Sequence, residues 1–330
     1  EGPWGDLDHF VIDHVADPQY AGAPFEVTVT ARDDRDRVIE DLDTSAHLSS
    51  DLGAYSTSVA DDGSTWQFPM RTYYDDSRTQ SIYLAEELDG PAKITTLMLN
   101  VSAVPGQPMS EWTIRMRHTD LDQYDSPAWE TEDWVTVYQA NQVVDDTGFA
   151  IFSLTTPFLY NGANNLMIDF SHDNTYRTTT GFCYSLDTGA PRSVVYNSNS
   201  TDGSPLDWAG TAPAVNTSTM VPSVMLSGVR TTPLGPAEVN LVNGVWTGDV
   251  TVDNTVDSMQ LVAQDTAGQY VGQSNTFSVD AMNQTPGFTG GGNVEVEEDA
   301  GAQSLADWAT DITPGPPEEA GQTVTFLVEN

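Results

Sequence analysis

Lysine is almost missing from this chain: Lys93 is the only one in 330 residues. Lysine and arginine together number 11 against 49 aspartates and glutamates, for a formal net charge of −38. That shortage of cations argues against nucleic acid as a partner, because such binding draws most of its affinity from Lys and Arg neutralising phosphates. Anionic membrane surfaces are disfavoured for the same reason. Cysteine is nearly absent too. Cys183 stands alone, so no intrachain disulfide and no multi-cysteine metal site can form. No run of about eighteen apolar residues occurs, so no membrane insertion is expected. The sequence opens at Glu1 without an initiator Met, which reads as a processed or excised product.

Catalytic signatures are missing as well. The five histidines, at 9, 14, 47, 118 and 172, are scattered along the chain. His9 and His14 are an odd number of residues apart in an extended segment and face opposite sides. There is no HExxH pair, no G-x-S-x-G elbow and no Walker loop. A glycosidase needs two carboxylates at a set separation, and 49 acids single out no such pair. No enzyme activity is expected. Cys183, between Phe182 and Tyr184, reads as a buried structural residue.

What the chain does have is a period of two. Phe25, Val27, Val29 and Ala31 alternate with Glu26, Thr28 and Thr30. Trp112, Ile114 and Met116 alternate with Thr113, Arg115 and Arg117, which puts the arginines on the outward face and Trp112 in the core. Leu166, Ile168 and Phe170 repeat the pattern, as do Val324, Phe326 and Val328. Such alternation marks half-buried antiparallel strands. Asp61-Asp62-Gly63, Asn161-Gly162 and Asn243-Gly244 punctuate them with turns. Helical periodicity is confined to Gln303–Ala309, which could make two turns. The fold class is all-β.

Residues 6–50 carry about three strand patterns, too few to close a sandwich. The same short-strand style returns from Leu241. The expected organisation is a discontinuous sandwich, 6–50 plus 231–280, with residues 51–230 inserted as a second domain at a loop. A Gly-rich linker, 281–292, and an unfinished strand-rich segment, 293–330, follow. The runs Asp8-His-Phe, Ala21 to Asp33, Asn243 to Val252 and Gln273 to Val279 resemble the two halves of an Ig-like repeat of very large bacterial surface or secreted proteins. The runs Thr113 to Thr119, Trp134 to Tyr138 and Phe158 to Phe170 resemble jelly-roll-like modules of secreted bacterial proteins. Val296 to Thr310, with Glu319 to Phe326, is similar to the opening of a cadherin-like or Ig-like repeat. These resemblances imply an Ig-like β-sandwich, an inserted jelly-roll-like sandwich and a partial C-terminal repeat.

Calcium is the expected cofactor, since it takes six to eight oxygen ligands and could offset the charge. The candidate ligands are Asp120, Asp122 and Asp125, and Glu297, Glu298 and Asp299 at a domain junction. Asp33, Asp34 and Asp36 form a further acidic cluster, as does Asp173 with Asn174. Trp129 and Tyr124 lie in the polar stretch 120–133 and are expected to be exposed, where they could stack on glycans. Gln322, Val324, Phe326 and Val328 read as an open strand edge that a neighbour completes. The function expected from these features is an extracellular structural or adhesive protein of a cell-surface or filamentous assembly. Its partners would be neighbouring copies or adjacent domains of a longer chain. The rival expectation is a carbohydrate-binding module of a larger secreted protein.

Overall fold

The computed structural model describes residues 5–199, 202–315 and 319–327. It is built almost wholly of strands. Two compact units result: one from the chain up to Leu48, Leu234–Met259 and the chain from Ala263, the other from Ser49–Pro233 and Gln260–Val262.

The first unit is assembled from sequence-distant halves. Phe25–Arg32 pairs with His9–Ile12 on one side and with Val245–Val252 on the other, so that Val29 lies opposite Trp246. A second sheet runs Glu238–Leu241, Thr44–Asp51, Val256–Asp265, Phe277–Asp280 and Gln19–Tyr20. The alternating residues do what their period implies: Val27, Val29 and Ala31 are buried, with Phe10, Val250, Met259 and Phe277. Phe25 meets the Phe277 ring edge-on at 5.8 Å, a favoured aromatic geometry.

In the second unit the six-stranded sheet runs Val135–Gln142, Met109–Thr119, Asn165–Asp173, Asp76–Tyr83, Ser193–Ser198 and Asn216–Ser218. Facing it is a sheet ordered Met220–Pro222, Phe182–Asp187, Ala92–Ala103, Val224–Arg230 and Ala54–Val59. Gly148–Tyr160 adds to Ala92–Ala103, and Ser64–Trp66 to Phe182–Asp187. Trp112, Ile114, Met116, Leu166, Ile168 and Phe170 from one sheet meet Ile94, Leu97, Leu99, Val101 and Leu226 from the other. Trp112 stacks 5.9 Å from Phe170, and each such fully buried side chain contributes about 1.5–3 kcal/mol. Cys183 belongs to the same core. The ends of this unit meet: Ser50 Oγ donates to the Thr232 carbonyl and accepts from the Thr232 N–H, each at 2.7 Å. Closely spaced ends are what a tolerated insertion requires.

Beyond residue 280 the architecture departs from the sequence expectation. Within the Gly-rich stretch, Gly287–Gly290 is a strand paired with Ala309–Thr313. Gln303–Ala309 makes no helix, and the chain turns at Asp307 into that second strand. The segment 322–327 is not a strand, although its residues alternate. Alternation alone does not hold a strand whose N–H and C=O groups lack a neighbour to bond. Val328 lies outside the described residues.

Candidate functional site

The strand Asp76–Tyr83 is the unusual element of the second unit. Its sequence, Asp-Ser-Arg-Thr-Gln-Ser-Ile-Tyr, is mostly polar, yet all eight residues are buried. One face turns to the main core through Tyr83. The opposite face carries Asp76, Arg78, Gln80 and Ile82, beside Met167, Asp169, Ser171 and Asp173 of the neighbouring strand. Burying polar groups is costly unless they are paired. Arg78, Gln80 and Asp169 are paired, whereas Ser77 Oγ and Thr79 Oγ1 on the core side are buried without a hydrogen-bond partner among the described residues.

Arg78 and Asp169 are each only 1% exposed. Arg78 Nε and Nη2 donate to Asp169 Oδ2 at 3.0 and 2.8 Å. Its Nη1 donates to the carbonyls of Pro205 and Trp208 at 3.0 and 2.6 Å. Arg115 Nη2 and Gln80 Nε2 add bonds to Asp169 Oδ2 at 2.6 and 3.0 Å. Burial acts to raise the Asp169 pKa, but the charges of Arg78 and Arg115 and the hydrogen bonds outweigh it. The carboxyl therefore sits below its ordinary range. Gln80 also exchanges two bonds with the Glu130 backbone, at 2.9 Å each. Arg78 and Gln80 thus each reach up to a loop and fasten it to the sheet.

Those loops form a roof. Tyr124 and Trp129 from one, with Trp208 and Val215 from the other, pack on Ile82, Met167 and Val194 as a second apolar cluster. Trp129 lies under the Arg78 guanidinium at 4.6 Å and 5.8 Å from Trp208. This corrects the expected exposure of Tyr124 and Trp129, which are 4% and 3% exposed. A polar sequence around an aromatic residue does not expose it when the polar neighbours face outward and the ring faces the sheet. Neither ring is placed to stack on a sugar.

At one end of this face Asp76 lies directly opposite Asp173. Burial, and next the charge of Asp173, push the Asp76 carboxyl up to about 7. Asp202 is tied close by, its Oδ2 accepting from Ser198 Oγ at 2.6 Å. The Asp76 carboxyl can therefore hold a proton near neutral pH. On the core side, burial pushes His172 down to about 4, which keeps the ring neutral.

The other acidic candidates are spread out. Asp120 accepts from Asn164 Nδ2 and Asp125 from Gln123 Nε2. Glu297, Glu298 and Asp299 lie exposed in a turn. Asp33 is enclosed by its own loop, its oxygens taken by the N–H groups of Gly5, Arg35 and Arg37 and by the Arg37 side chain. Burial opposes ionisation there, and the Arg37 bonds outweigh it, so the carboxyl lies well below its ordinary range. Among the described residues no group of three or more His, Cys, Asp or Glu is placed to hold a metal ion.

At the expected assembly edge, Gln322 Nε2 donates to Asn283 Oδ1 at 3.0 Å. Val324 is half-buried, and Phe326 meets Phe288 edge-on at 5.0 Å. The fold and this face define an all-β protein of sandwich units with a roofed polar sheet. No protein-family model matches the chain, and no curated protein or solved structure matches it.

Proposed function

We propose that this chain is a non-catalytic extracellular structural or adhesive protein, one unit of a cell-surface or filamentous assembly of β-domains. The observation that carries the reading is the apolar surface left open after residue 280. Met282, Phe288, Val294, Val296, Leu305, Trp308, Ile312, Phe326 and Leu327 are all exposed, Leu327 at 91%. They accompany a two-stranded sheet, which is marginal in water without a further partner. Of these, Phe288 lies against both Trp308 and Phe326, and a cluster of exposed apolar residues marks an interaction surface. A neighbouring β-domain, from a second copy or from an adjacent part of a longer chain, covers it.

The net charge of −38 fits the same role. It keeps assembled units soluble and requires cations, calcium among them, to offset self-repulsion. The roofed sheet of the second unit supports a mechanical role, since Arg78 and Gln80 are spent on fastening loops.

Sedimentation velocity over a range of concentrations, with negative-stain imaging, tests the reading. Concentration-dependent oligomers or ladders are expected, and the double variant Phe326→Asp/Leu327→Asp should disperse them. A monodisperse monomer at all concentrations, with sugar binding on a glycan array, would overturn it in favour of a carbohydrate-binding module.

A further inference from the structure

Two neighbouring strands of the second unit carry no charged residue, in a chain that is 18% charged. They are Val135–Gln142, of 8 residues, and Gly148–Tyr160, of 13. Exposed strands usually protect themselves with charge, lysine above all. Here apolar side chains stand outward instead: Phe149 is 51% exposed, and Ile151 and Leu159 are 63% exposed. Gly148–Tyr160 bonds to Ala92–Ala103 along one edge. Its other edge joins no ladder among the described residues but runs beside Val135–Gln142, where Thr155 Oγ1 donates to the Val137 carbonyl at 3.2 Å. Where this strand passes Val135, a cavity of about 500 Å³ opens, walled by Val135, Pro157, Phe158 and Leu159. Arg117, His118 and Asp133 complete its rim. His118 is occupied: its Nε2 accepts from the Asn161 N–H, and its ring stacks on Tyr160.

Electrostatics narrows what can lie there. At −38, a second copy is repelled wherever charged surfaces meet. The contact least penalised joins two uncharged segments. The segment Gln322-Thr-Val-Thr-Phe-Leu327 is uncharged, alternates with β-branched residues and is in no strand. Its Phe326 and Leu327 are exposed, and an aromatic or Leu side chain can lie against the apolar wall that Val135, Pro157, Phe158 and Leu159 form.

We propose that residues 322–327 of one copy dock along Gly148–Tyr160 of the next, with Phe326 or Leu327 seated in the cavity beside Val135 and Leu159. Apolar contact with the outward side chains Phe149, Ile151 and Leu159 would give affinity, and the cavity would set the register. This rests on the assembly reading above and names its receiving site.

Cross-linking between full-length copies tests it. Copies carrying Leu327→Cys are mixed with copies carrying Leu159→Cys and treated with a bismaleimide. The native Cys183 is buried and should not compete. A heterodimer is expected with Leu159→Cys and not with Ser58→Cys, which lies at the far edge of the same sheet. Ile151→Asp should weaken association about tenfold or more, because a carboxylate is poorly tolerated against an apolar partner. Ile151 is exposed, so this variant should keep its melting temperature.

Suppose Phe326→Asp disperses the oligomers while Ile151→Asp leaves them intact and Leu159→Cys does not cross-link. The receiving site proposed here is then wrong, though assembly stands. A chain that is monomeric throughout overturns both. Cross-linking of a doubly substituted copy at high dilution would place the contact within one chain and overturn docking between copies.

Discussion

Arg78 spans from Asp169, which it grips through two nitrogens, to the carbonyls of Pro205 and Trp208, which it holds through the third. One side chain thereby joins two strands of a sheet to the loop that covers them. Removing it leaves two carbonyls unpaired and a carboxylate short of its main counter-ion. Arg78→Met should cost about 3–5 kcal/mol, the usual penalty for breaking a buried pair from one side. Arg78→Lys should recover little, since a single ammonium cannot replace the planar fork. Urea unfolding checks both, with a lowered midpoint and an unchanged slope expected.

The roof aromatics give a second outcome. Trp129 packs between Arg78 and Trp208, so Trp129→Ala should cost about 3–5 kcal/mol as a large-to-small core change. It should leave any glycan-array signal of the folded protein unchanged. A variant with parental stability and a lost sugar signal would return Trp129 to a ligand-binding role.

Asp76 makes the stability depend on pH. Its pKa is pushed up to about 7 in the folded chain, against about 3.9 for an ordinary aspartate. Between those values the folded state holds a proton that the unfolded state has released. Stability from this group is therefore complete below about pH 4 and is lost as pH rises through about 7. Asp76→Asn should melt higher than the parent at pH 8 in EDTA, and the difference should disappear at pH 4. Equal melting temperatures at pH 8 would mean that Asp76 and Asp173 are not strained against each other.

Cys183 provides a probe of the second core. It is fully buried, and burial pushes its thiol up to about 12. Only the thiolate reacts with maleimide or disulfide reagents. No labelling is expected at pH 8 in native buffer, with one equivalent per chain in urea. Rapid native labelling would show that the sheet opens around Phe182–Asp187.

The sequence makes the strands legible wherever one face is apolar and the other polar, as at Phe25–Arg32. It also puts Trp112 in the core, through its phase with Ile114 and Met116. It fails where both faces are covered. Leu166-Met-Ile-Asp-Phe170 has a signal that could have been read: Met167 breaks the alternation, and apolar residues on both phases mean burial on both faces. Asp76–Tyr83 has no such signal. Its buried character comes from Arg78, Gln80 and Asp169 pairing with one another and with loops distant in sequence. Trp129 was hidden for the same reason, because the covering surface is assembled from segments some 80 residues apart. The distinction between a glycan platform and a roofed sheet rests on that tertiary pairing, which no local period records.

Calcium dependence is the last test, and charge decides its sign. With 49 acids against 11 basic residues, every bound divalent cation removes self-repulsion from the folded state and stabilises it by mass action. No three acids are already arranged around a point among the described residues, so an ion would have to draw its ligands together. Asp120, Asp122 and Asp125, or Glu297, Glu298 and Asp299, are near enough in sequence to close on one. EDTA at constant ionic strength should lower the melting temperature, and added calcium should restore it. Asp122→Asn and Glu298→Gln, made separately, would show which cluster carries the effect. Specific binding predicts saturation at millimolar calcium or below, because coordination outcompetes a diffuse atmosphere. If EDTA has no effect and only molar NaCl stabilises, the charge is met by screening over a Debye length of about 3 Å, and calcium has no dedicated site.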